Sequence, residues 1–166
     1  ALYRRLRKMQ GDTRETLRGL TACLVSVGDI RRESGDLAVA LVAYKESIAV
    51  CRRLRELQGD TPEVLRHLIV PLHRAGDISW QSGELTAASA NYEESLVLSR
   101  RLQELGGNIP QALHDLALSL ARVSEISREL GDLAAAEAAA AELRALNPPA
   151  KPPPKPRRPR KRARKA

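Results

Sequence analysis

Arg5-Leu6-Arg7-Lys8-Met9-Gln10-Gly11-Asp12-Thr13 returns 48 residues later as Arg53-Leu54-Arg55-Glu56-Leu57-Gln58-Gly59-Asp60-Thr61. After another 48 it returns more loosely as Arg101-Leu102-Gln103-Glu104-Leu105-Gly106-Gly107-Asn108-Ile109. The same offset carries Gly28-Asp29-Ile30 onto Gly76-Asp77-Ile78, and Ser34-Gly35-Asp36-Leu37 onto Ser82-Gly83-Glu84-Leu85. About half of the positions in the first two units are identical. Such self-similarity predicts a stack of like units, each burying a face on its neighbour, rather than a globule with one closed core. Stacks of this kind present surfaces for binding more often than they house active sites.

Each unit reads as two helices. Asp12-Thr13-Arg14-Glu15, Asp60-Thr61-Pro62-Glu63 and Asn108-Ile109-Pro110-Gln111 share the pattern of a short polar N-cap with Glu or Gln three residues on. Pro62 and Pro110 then fall in the first turn, where the missing N–H costs nothing. Apolar residues follow at helical spacing: Leu17, Leu20, Leu24, Val27 and Ile30, then Leu65, Leu68, Leu72, Ala75 and Ile78, then Leu113, Leu116, Leu120, Val123 and Ile126. Gly35, Gly83 and Gly131 supply the left-handed residue that ends a helix, and Asp36, Glu84 and Asp132 open the next at once. The second helix carries Leu37, Ala40, Tyr44 and Ile48, or Leu85, Ala88, Tyr92 and Leu96, and closes at Gly59 or Gly107. Each helix should run about 21 residues, or about 30 Å. Pro71 is the interior misfit, expected to kink its helix or mark a late start.

The hydrophobic content, 43% of 166 residues, is rich in leucine and alanine and holds no Phe, which suits helices over sheet. The net charge of +8 resides in one place. Lys151, Lys155, Arg157, Arg158, Arg160, Lys161, Arg162, Arg164 and Lys165 crowd residues 151–166 without an acid, leaving 19 basic against 20 acidic residues elsewhere. Proline and repulsion among like charges predict a disordered basic tail over residues 148–166. Cys23 and Cys51 read as small buried hydrophobes in a reducing compartment. With no apolar run long enough to span a bilayer and no signal peptide, a cytoplasmic protein is expected.

The helix pairs resemble tetratricopeptide repeats, in a long-period, bacterial-type variant. The residues that carry the resemblance are Leu24, Val27-Gly28, Gly35-Asp36, Ala40 and Tyr44, repeated as Leu72, Ala75-Gly76, Gly83-Glu84, Ala88 and Tyr92. The third unit keeps Leu120, Gly131-Asp132 and Ala136, but has Ser124 for the glycine and Ala140 for the tyrosine. The family's usual period is about 34 residues, so each helix here would be about two turns longer. The resemblance implies an all-α, right-handed α-solenoid of antiparallel helix pairs: a partial repeat over 1–11, then repeats over about 12–59, 60–107 and 108–147. The partial first repeat suggests a fragment of a longer protein.

The sequence carries no catalytic constellation. His67, His73 and His114 occupy three different repeat positions without metal-ligand spacing. No phosphate loop or nucleophile motif is present, so neither a cofactor nor an enzymatic activity is expected. The resemblance implies a concave groove lined by the first helix of each pair, presenting Val25, Asp29, Arg32 and Glu33; His73, Asp77, Trp80 and Gln81; and Ala121, Glu125, Arg128 and Glu129. Asp29, Asp77 and Glu125 would form an acidic row beside the lone Trp80. The expected role is a scaffold that binds a protein or peptide partner in this groove. Removal of Asp77 or Trp80 should then weaken binding and spare the fold. The alternative is a nucleic-acid-associated protein whose nine tail cations touch phosphates without reading sequence. Few aromatics and a near-neutral body give the repeats little with which to read RNA themselves.

Overall fold

The computed structural model describes residues 2–106 and 110–146, with side chains from Arg4 onward. These residues form seven helices: α1 Leu2–Gln10, α2 Arg14–Glu33, α3 Leu37–Gln58, α4 Pro62–Gln81, α5 Leu85–Gly106, α6 Pro110–Glu129 and α7 Leu133–Leu146. Each packs on the next in chain order, and α2 also touches α4 directly. Contacts between α2 and α3 fix their direction: Tyr44 meets Asp29, while Cys51, two turns further on, meets Thr21. The partners climb one helix as they descend the other, so the pair is antiparallel. The expected all-helical fold in helix pairs is therefore present. The tail expected over residues 148–166 lies outside the described residues, as does Gly107.

The helix starts differ from the sequence reading by one residue. Thr13 and Thr61, not Asp12 and Asp60, are the N-caps, and their hydroxyls accept from the N–H groups of Thr16 and Val64 at 3.2 Å. The aspartates serve guanidinium groups instead. Asp12 accepts from Arg7 at 2.6 Å and Arg53 at 3.0 Å, and Asp60 accepts from Arg55 at 2.5 Å. These bonds hold both carboxyls below the usual carboxylate range, Arg7 dominating for Asp12 and Arg55 for Asp60. A threonine with extended backbone makes the better N-cap here because the acid just before it is already engaged. Gly35, Gly83 and Gly131 have φ of 82°, 77° and 82°, which confirms the glycine stop before each second helix.

The core is assembled at the seams between units. Tyr44 and Tyr92 are fully buried, each against the glycine of its own pair and the apolar row of the next. Without a β-carbon, Gly76 lets the Tyr92 ring lie on the helix backbone, and Gly28 does the same for Tyr44. The third unit exchanges both partners. Ser124 replaces the glycine and Ala140 the tyrosine, and the Ser124 hydroxyl donates to the Ala136 carbonyl at 3.0 Å. The two substitutions are opposite in sense: a side chain is gained where the glycine stood and a ring is lost where the tyrosine stood.

Two expected core positions are not in the core. Val27 and Ile30 are 46% and 64% exposed, whereas Ala75 and Ile78, their counterparts, are 0% and 1% exposed. In α4 that face is covered by α3; α1 reaches only the first part of α2, so among the described residues nothing covers the second. Cys23, on the same stripe, is likewise exposed, while only Cys51 is buried. The thiols therefore differ, contrary to the common reading given to both.

Pro71 neither breaks α4 nor delays it, since the helix runs unbroken from Pro62 to Gln81. Proline lacks the N–H that would have bonded to the His67 carbonyl. The Cys51 thiol takes its place, donating to that oxygen at 3.1 Å, with the Thr21 hydroxyl 3.3 Å from the sulfur. A neighbouring helix thus satisfies the carbonyl that Pro71 leaves free, so the interior proline orphans no acceptor there. Burial pushes the Cys51 thiol up to about 11, so it stays protonated and able to donate.

Candidate partner-binding face

The helices α2, α4 and α6 present one face, and the acids expected there are not free. Asp29 accepts the Tyr44 hydroxyl at 2.7 Å and faces Arg74 at 3.4 Å. One unit on, Asp77 accepts the Tyr92 hydroxyl at 2.7 Å and faces Arg122 at 3.3 Å. Glu125 accepts from Arg122 at 3.2 Å. Asp29 and Asp77 are thus neutralised by arginines from the following unit, and Glu125 by an arginine of its own helix. Burial, and then the bond to the adjacent aspartate, push the Tyr44 phenol up to about 12 and Tyr92 higher still. Both rings remain neutral donors at any physiological pH.

Trp80 is half-buried, its indole N–H donating to Glu129 at 2.7 Å. The Arg122 guanidinium lies 5.7 Å from its ring centre, and Tyr92 stands edge-on at 6.1 Å. These contacts hold the indole in one orientation. Glu33, Gln81, Glu125 and Arg128 are exposed, and Val25 and Arg32 are half-buried.

His73 departs from the expectation. It is buried, not on the surface, and its Nε2 lies 2.9 Å from the Ser119 hydroxyl. Ser95 and Ser99 of α5 approach the same oxygen at 3.0 and 2.9 Å, so three helices meet at one polar node. Ser119 donates its single proton to the Asp115 carbonyl at 2.9 Å, so its oxygen accepts from the groups around it, a neutral imidazole carrying its proton on Nε2 among them. Burial lowers the imidazole to about 4.

Two concavities lie along α4. The first, of ≈ 670 Å³, is mostly apolar and is lined by Ala22, Val25 and Val70, with Glu63, Arg66 and His67 at its polar edge. The second, of ≈ 570 Å³, is lined by Arg32, Arg74, Asp77, Trp80, Gln81 and Arg122. Sequence reading missed Arg74 and Arg122. Their signal is an arginine 45 residues after Asp29 and again 45 after Asp77, which pairs each acid with the next unit. It also missed Val70 and His67. The nine tail cations lie outside the described residues.

Among the described residues no group of three or more His, Cys, Asp or Glu side chains could hold a metal ion. No helix among them is long and apolar enough to cross a membrane. No protein-family model, curated protein or solved structure matches the chain.

Proposed function

We propose that this chain is a non-enzymatic interaction module, a right-handed stack of tetratricopeptide-like helix pairs that holds a protein segment against α2, α4 and α6. The observation that carries this reading is the pair of clefts along α4, one apolar and one lined by arginines around an oriented Trp80. Rigid aromatic and arginine side chains at the edge of a cleft are the residue types that dominate binding energy at protein interfaces. The units carry shape at this face while their tyrosines and leucines are consumed in the seams.

The test is affinity capture with purified chain as bait, followed by identification of the retained protein. Trp80→Ala and Gln81→Arg should each lose that protein while the thermal melt stays within a few degrees. Removal of residues 148–166 should leave capture intact. Retention by both face variants, or loss on truncation alone, would move the binding site to the tail.

A further inference from the structure

The second cleft holds one cation that the ion pairs around it leave without a partner. Arg32, Arg74 and Arg122 converge on it from three helices, against Asp77 as the only acid in its lining. Arg74 and Arg122 reach Asp29 and Asp77 at 3.4 and 3.3 Å. Arg32 is different. It forms no ion pair among the described residues, and its Nε is buried without a hydrogen-bond partner. That Nε is too enclosed for a ligand to reach, but the half-buried side chain lines the cleft, and a carboxylate is the acceptor its terminal N–H groups fit.

The surroundings decide which anion fits. Glu125 and Glu129 approach Arg122 and Trp80, and Glu33 sits beside Arg32, so the rim is acidic. A long polyphosphate chain would meet these acids on either side, whereas a single carboxylate reaches the arginines alone. The mostly apolar first cleft ends at Val70, one helical turn, about 6 Å, before Arg74. An extended peptide covers that distance in about two residues.

We infer that the α2–α4 face binds a short acidic peptide segment, an aliphatic side chain seated among Ala22, Val25 and Val70 and a carboxylate two or three residues on engaging Arg32 and Arg74 beside Trp80. This rests on the reading of that face as the partner site, and gives the partner its chemistry.

Trp80 is the sole tryptophan, so its emission reports occupancy of the second cleft directly. The probe is a capped, unlabelled decapeptide with two leucines followed two residues on by a single aspartate and otherwise uncharged, titrated into the full chain at low salt. A saturable change in Trp80 emission is expected. The counterpart with asparagine in place of that aspartate should bind at least about tenfold more weakly, as should the aspartate peptide to Arg32→Gln, because each change deletes a charge-assisted hydrogen bond. Circular dichroism of Arg32→Gln should match the parent. Equal affinity for both peptides, no response to the aspartate peptide, or unchanged binding by Arg32→Gln would each overturn the inference. So would displacement of the peptide by a ten-nucleotide oligothymidylate at equal concentration, which would mark a phosphate site. A captured partner that loses Trp80→Ala binding yet carries no acidic segment would leave the partner face standing and sink only this assignment.

Discussion

A β-carbon placed on Gly76 would sit 2.6 Å from Cε1 of Tyr92, inside any permitted contact distance. The ring is fully buried among Leu116, Leu120 and Val123 of the following helix and has nowhere to retreat. Gly76→Ala should therefore destabilise the protein by roughly 1–3 kcal/mol, although alanine is the better helix former by about 1 kcal/mol. In a Tyr92→Ala background the same change should cost nothing or stabilise. Urea melts of the four proteins in this cycle give the coupling directly, and additive effects would mean that glycine and ring do not meet.

Ring and hydroxyl of Tyr92 act separately. Tyr92→Ala should cost roughly 3–5 kcal/mol as a large core truncation. Tyr92→Phe removes only the bond to Asp77 and should cost about 1 kcal/mol. Because Asp77 holds that hydroxyl, Asp77→Ala should lower the melt as well, so a loss of binding in that variant is no clean measure of the surface. Trp80→Ala is the cleaner probe. Identical stability of Asp77→Ala and the parent would show the hydroxyl to be solvated.

The two thiols should separate by reactivity. Ellman's reagent at neutral pH should titrate one thiol rapidly, at exposed Cys23, while Cys51 reacts only on unfolding. Cys51→Val leaves the His67 carbonyl without a donor and should cost about 1–3 kcal/mol, whereas Cys51→Ser should keep the bond. In a Pro71→Ala background, which restores the backbone N–H, the valine penalty should shrink.

His73 sets a pH window. Its folded value of about 4 lies below the ordinary 6.5 because burial disfavours the cation. Asp77 and Asp115 oppose that shift, while Arg122 and Arg74 reinforce it. Above pH 6.5 the residue is neutral in both states and contributes no pH dependence. As pH falls from 6.5 toward 4 the unfolded chain binds a proton that the folded chain refuses, so stability drops, by roughly 3 kcal/mol over the whole window. His67 is lowered as well, also by burial. Urea midpoints across this range should fall more steeply for the parent than for His73→Gln. Parallel curves would show that His73 titrates normally in the fold.

The period of 48 residues made the helix boundaries legible, because glycines and caps recur at fixed offsets and depend on local backbone alone. Tyr44 and Tyr92 were likewise legible as members of the second helix's apolar row. What could not be read was anything decided by the neighbouring helix. Val27 and Ile30 have the same periodicity as Ala75 and Ile78, yet they are exposed because α1 stops short of them. His73 sits on a polar stripe but is drawn inward by three serines distant in sequence. The acidic row was visible, but its neutralisation depends on Arg74 and Arg122, whose meaning emerges only when units stack.

Photo-crosslinking offers the most direct measurement of whether the α2–α4–α6 face is the one that binds. A benzophenone amino acid placed at Gln81, on that face, should trap a partner, and the same probe at Val97, exposed on α5, should not. Trapping from Val97 and not from Gln81 would contradict the reading outright and transfer the binding surface to the second helices.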